Sequence, residues 1–230
     1  MFSKDYLNAL SKVNGFSDKV ILKYPKTILN SASNDVCVLI NADTLGCEAF
    51  EDTGIYELSK FINMLGIFEN AEVRRDGNLL KIHSLTESAA FTLCDLDLLA
   101  SHNLQPEIIS NLDKFPSVAE FELKSADLQT IKKASSILSE LNALEIKGTN
   151  NNTEVALSFH NRFNSSQNEF KKDYLGTATS EFSLKLGIEN IQKLPVTDYE
   201  VKVKFNADKN AYRVIFVNPS YTILVSKLAD

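Results

Sequence analysis

The chain has 230 residues, 44% of them hydrophobic and 23% charged, with a net charge of −6. That composition is ordinary for a soluble globular protein, and the length suits one large domain or two of about 100–115 residues each. No apolar run approaches the roughly 18 residues of a membrane span, and no basic-plus-apolar leader opens the chain, so neither a membrane protein nor a secreted one is expected.

Cys37, Cys47 and Cys94 are odd in number and far apart, with no CxxC pair. They read as buried thiols in a reducing cytosol rather than as disulfide or metal ligands. Asn151 and Asn164 stand in glycosylation sequons that carry no meaning without secretion. An isoelectric point near 5.2 argues against a protein that grips nucleic acid through its whole surface. A small basic patch remains compatible with it.

In chain order, Ser3 is a plausible N-cap for a helix running to about Asn14 and stopped by Gly15. Strand-like pieces follow at 19–24, 27–32 and 35–42, then a second helix at about Ile55–Leu65 stopped by Gly66. In AEVRRDGNLLKIHS, Asp76-Gly77 lies between two alternating runs and is the strongest hairpin signal in the chain. SAAFTLCDL (88–96) closes the first half. From about Asp97 to Pro116 the pattern loses its period and reads as a surface linker. The second half opens with a strand at 118–124 and a helix at 125–141. Hairpins then turn around 150–153 and 207–210, and a further helix lies at about 187–193. The expected organisation is an N-terminal domain at 1–97, a linker at 98–117 and a C-terminal domain at 118–230. It is an α+β pattern stated twice.

One phrase recurs. AEFELKSADLQTIKK (119–133) and SEFSLKLGIENIQK (180–193) both run from an alternating Glu-Phe-x-Leu-Lys strand into a short amphipathic helix with lysine on its polar side. The two N-terminal helices have the same character. Across all four, Lys4, Lys12, Lys60, Lys132, Lys133 and Lys193 face five acids, a balance of +1 that leaves −7 for the rest of the chain. Asp5, Glu57, Asp127 and Glu189 sit in first turns, where the helix dipole favours negative charge, and Glu140 is the exception.

This order of elements resembles the DNA polymerase sliding clamp, the processivity factor, of T-even-like tailed bacteriophages. The resemblance covers the whole chain and is sharpest in FEDTGIYELSKFINMLGIFENAEVRRDGNLLKI (50–82) and LKSADLQTIKKASSILSELNALEIKG (123–148). It implies a DNA clamp fold: two similar clamp-type domains, each with two helices packed on antiparallel sheets. It also implies a homotrimeric ring around duplex DNA, held without regard to sequence, that tethers the replicative DNA polymerase and is opened by an ATP-driven clamp loader in the host cytoplasm. The six lysines would then line the hole. Edge strands near 88–94 and 170–175 would join neighbouring subunits, with Lys171 and Lys172 either facing acids on the partner or lying on a solvated edge. By position along the clamp fold, Val36, Val38, Leu98, Leu99, Leu104, Pro219 and Leu228 would form the pocket for partner peptides. The resemblance implies no cofactor, no metal and no catalytic residue.

Two other readings compete. His83, His102 and His160 are widely spaced and lie in no metal-binding or nucleophile motif, and eight glycines leave little material for phosphate loops. An enzyme is therefore not expected. His83 and Cys94 could face each other on paired strands, as a packed pair rather than a metal site. The other alternative is a non-enzymatic structural or interaction protein built from two repeated α+β halves.

Overall fold

Ser3 opens the first helix as expected: its Oγ accepts the Tyr6 N–H at 3.1 Å, and α1 runs Lys4–Val13. The computed structural model describes residues 2–33, 35–68, 71–99, 114–149, 152–158, 170–175, 177–208 and 210–228. His102, Leu104, His160 and most of the expected linker lie outside these. The chain divides into two compact units, Met1–Pro106 and Glu107–Asp230.

In the first unit, α1 buries Tyr6, Ala9, Leu10 and Val13, the i, i+3, i+4, i+7 stripe of a helix laid on a core. Gly15 does not end it. The chain tightens instead into a 3-10 turn, Asn14–Phe16, that buries Phe16. Strands β1 (Val20–Leu22), β2 (Lys26–Asn30), β3 (Val36–Asn41) and β4 (Thr53–Ile55) follow, antiparallel, in the spatial order β3-β2-β1-β4. Helix α2 is Leu58–Leu65, so Ile55 belongs to a strand and not to the helix expected there. The strand is three residues long, too short for an alternating pattern to register. It exists because Val20, Ile21 and Leu22 supply a partner edge and because Gly54 lets the chain pass close to Cys94. A Cβ at Gly54 would lie 2.5 Å from the Cys94 carbonyl oxygen.

Strands β5 (Glu72–Asp76), β6 (Leu79–His83) and β7 (Ser88–Thr92) make a separate three-stranded sheet in that order. The predicted hairpin is present one residue later than expected: Asp76 pairs with Leu79, and the loop is Gly77-Asn78, with Gly77 at φ +60°. Glycine at the first loop position suits a type II′ turn. A short helix α3 (Leu96–Leu99) then packs on β1 and β4.

The second unit opens with β8 (Ser117–Leu123) and α4 (Ser125–Ile137). α4 is four residues shorter than expected. Leu138 leaves helical backbone at φ −96°, ψ 57°, and the resulting turn carries Leu141 into the core, where it is 2% exposed. Glu140, the acid that broke the first-turn rule, is therefore not on a helix. β9 (Ala143–Thr149), β10 (Asn152–Ser158), β11 (Phe170–Leu175) and β13 (Phe182–Gly187) form a four-stranded antiparallel sheet ordered β11-β10-β9-β13. β12 (Thr177–Ala178), β8, β14 (Tyr199–Asn206), β15 (Ala211–Asn218) and β16 (Tyr221–Ser226) are neighbours in that order in a second sheet. Helix α5 (Ile188–Lys193) leaves β13 directly. Phe121, Leu128, Ile131, Ile146, Val155, Ile191 and Phe216 close over one another between the helices and both sheets.

Candidate nucleic-acid interface

In each unit the two longer helices lie side by side, α1 against α2 and α4 against α5. The N-termini of α2 and α4 are fixed by acids that come from far away in sequence. Asp18, in the turn after α1, accepts the Ser59 N–H of α2 on Oδ1 at 2.7 Å, and its carbonyl accepts the Leu58 N–H at 2.8 Å. Asp198, after α5, accepts the Ser125 N–H at the head of α4 at 2.7 Å. That backbone N–H, reinforced by Lys124, holds the Asp198 carboxyl below the usual carboxylate range. Neither cap was expected, because each lies about 40 to 70 residues from its helix and leaves no local signal.

Of the six lysines, Lys4, Lys12, Lys60, Lys133 and Lys193 are exposed. Lys4 borders a shallow cleft between α1 and α2 together with Asn8, Ser11 and Ile62. Lys60 pairs with Glu57 at 3.2 Å, an exposed i, i+3 pair of small energetic weight. Lys12, Lys133 and Lys193 have no ion-pair partner among the described residues. Lys132 differs: it is half-buried, and its Nζ donates to the carbonyls of Gln192, at 2.8 Å, and Leu194. Desolvation lowers its pKa. Of the first-turn acids, Asp127 is bonded to Lys172 of its own chain. Lys172, expected either to face a partner subunit or to lie on a solvated edge, is thus engaged within the chain. Among the described residues, β7 and β11 each lie at one edge of their sheet, as β5 and β13 do at the other.

Within their own units, the residues expected to form a partner pocket differ in burial and position. Val36 and Val38 are 0% exposed and stand behind the surface. Leu98 and Leu99 are neighbours in α3 with opposite fates: Leu98 is 71% exposed and Leu99 is 0% exposed, against Gly54. A single helical step of 100° separates them, which periodicity could not resolve over four residues. Pro219 precedes β16 and Leu228 follows it, so they sit at opposite ends of a six-residue strand, about 20 Å apart at the usual rise. Pro219 borders a depression with Glu120, Glu122, Asp198 and Glu200, while the Leu228 N–H bonds the Lys185 carbonyl at 2.8 Å. Leu104 is outside the described residues.

Cys37 and Cys47 are buried free thiols and Cys94 is half-buried. Burial pushes the Cys37 thiol up to about 12. His83 and Cys94 do not face each other: His83 is exposed and pairs with Ser88, whereas Cys94 bridges to Gly54. No cluster of three or more potential metal ligands occurs among the described residues, and none of their helices is long and apolar enough to cross a membrane.

No protein-family model matches the chain, and no curated protein matches it in sequence. Solved structures do. The chain is similar to the proliferating cellular nuclear antigen (PCNA) of Entamoeba histolytica, at 14% identity and a TM-score of 0.70, over 99% of this chain and 97% of that one. It is also similar to a chain of the PCNA2-PCNA3 complex of Sulfolobus tokodaii, at 12% identity and a TM-score of 0.68, over 100% of this chain and 98% of that one. A third is the PCNA of A. fulgidus with the C-terminal region of FEN-1 bound, at 9% identity and a TM-score of 0.72, over 100% and 97%. The class is thereby defined by fold: this is an α+β chain with the DNA clamp fold, matched from end to end.

Proposed function

We propose that the protein is a sliding clamp. Three copies close head-to-tail into a ring around duplex DNA, tether the replicative DNA polymerase for processive synthesis, and are opened and shut by an ATP-driven loader. The observation that carries this reading is the conjunction of a whole-chain DNA clamp fold with exposed lysines on both long helices of each unit, in a protein of net charge −6. Contacts of lysine with phosphate are blind to sequence and sensitive to salt. A few lysines set among neutral polar side chains hold DNA loosely, as sliding requires. The acidic remainder discourages DNA from settling elsewhere.

The outer strands β7 and β11, with Ile67 and Ile137 exposed at the ends of α2 and α4, offer surface that such an assembly would cover. The local sequence in 50–82 and 123–148 favours the T-even-like phage branch of clamps, working in the host cytoplasm, and the ring performs no chemistry of its own.

The test is topological. A clamp loaded on circular DNA stays bound through a high-salt wash and is lost when the circle is cut. Equal loss from closed and cut circles refutes the ring and leaves the alternative of an interaction protein built from two α+β halves.

A further inference from the structure

Lys132 is the one lysine of the helix set whose ammonium turns inward. α5 has six residues, too few to hold a helix by its own hydrogen bonds, and its last carbonyls have no partners within the helix. The Leu194 N–H closes on Ile191 O, and Lys132 reaches across from α4 to Gln192 O in the last turn, at 2.8 Å, and to the carbonyl of Leu194, the residue that caps the helix. The lacing is reciprocal: Gln192 Nε2 donates to Lys132 O at 3.1 Å and to Ser135 Oγ. A cation is well placed at a helix C-terminus, where the dipole is negative. The residue between the two bonded carbonyls is Lys193, which is exposed. One turn of backbone thus joins the half-buried ammonium of Lys132 to the exposed one of Lys193.

We propose that Lys132 is a positioning residue that pins the end of α5 to α4 and so sets Lys193 relative to Lys133, without itself touching DNA. The proposal rests on the DNA-facing reading of these helices and narrows the set of contacting lysines. A bare surface lysine would be interchangeable with its neighbours, whereas this one acts through Lys193.

The experiment uses the full chain with Lys132→Met and Lys132→Arg, each alone and combined with Lys133→Gln or Lys193→Gln. In Lys132→Met, amide exchange across 188–194 should accelerate by at least about tenfold, a lower bound for losing two bonds from a charged donor that is partly exposed to solvent. Lys132→Arg should restore protection, since guanidinium can serve both carbonyls. Binding of a short labelled duplex is then followed against salt. Lys133→Gln and Lys193→Gln should each flatten the salt slope of the parent. In the Lys132→Met background the Lys193→Gln effect should shrink while the Lys133→Gln effect persists. Two results overturn the proposal: a flattened slope in Lys132→Met with exchange unchanged, or faster exchange with the Lys193→Gln effect intact. If neither Lys133→Gln nor Lys193→Gln alters the slope of the parent, the DNA-facing reading itself fails. The contrast in exchange between the Met and Arg variants then decides the pinning alone.

Discussion

Replacing Leu99 with alanine separates two roles that adjacent leucines were expected to share. Leu99 is 0% exposed and stands over Gly54, where a Cβ would come within 3.2 Å of its Cδ1. The substitution removes three buried carbons from the point where α3 is anchored on β1 and β4. Leucine-to-alanine changes in cores cost about 2–5 kcal/mol, and a site at the end of a short helix can partly collapse, so about 3 kcal/mol is expected. With a urea m-value near 2 kcal/mol/M, the unfolding midpoint of the first unit should fall by roughly 1.5 M. Leu98→Ala, at a side chain 71% exposed, should stay within about 0.5 kcal/mol. The functional assay reverses the order: titration with a C-terminal peptide of the cognate polymerase should weaken in Leu98→Asp, which keeps its fold. An unchanged midpoint in Leu99→Ala refutes the anchoring. Unchanged peptide affinity in Leu98→Asp means that partners dock elsewhere.

Three further outcomes are expected. Light scattering at micromolar concentration should report three times the 25.6 kDa chain mass, and a strict monomer would contradict the ring. Changing Lys12, Lys60, Lys133 and Lys193 together to Glu should abolish processive synthesis with the circular dichroism spectrum unchanged, while single changes do little; normal synthesis by the quadruple variant would make them ordinary surface charges. Asp198 has a native pKa below its ordinary 3.8 because the Ser125 N–H bonds the ionised form, so its contribution is full above 3.8, fades below it, and is gone once pH falls through the depressed native value. Acid unfolding of Asp198→Asn, which can still cap α4, should therefore lack that component, and an unaltered acid transition would contradict the cap.

What the sequence determined by itself is whatever repeats at short range. Apolar side chains at helical and strand spacing placed α1, β2, β3 and the hairpins, because period and burial are linked within a few residues. The recurring strand-to-helix phrase announced the two strand-to-helix steps of the second unit for the same reason, and the lysines on the polar stripes were legible as exposed in five cases of six. Tertiary structure decided the rest. Whether Lys132 faces solvent or the end of α5 depends on a carbonyl 60 residues away. Leu98 and Leu99 are chemically identical and adjacent, so only the strands beneath α3 choose which is buried. β4 is too short to show a period and is defined by its partners β1 and Cys94. Asp18 and Asp198 become caps only when the chain brings them to helices that begin elsewhere. In each case the deciding interaction joins groups that are distant in sequence, and its energy is not written into either segment alone.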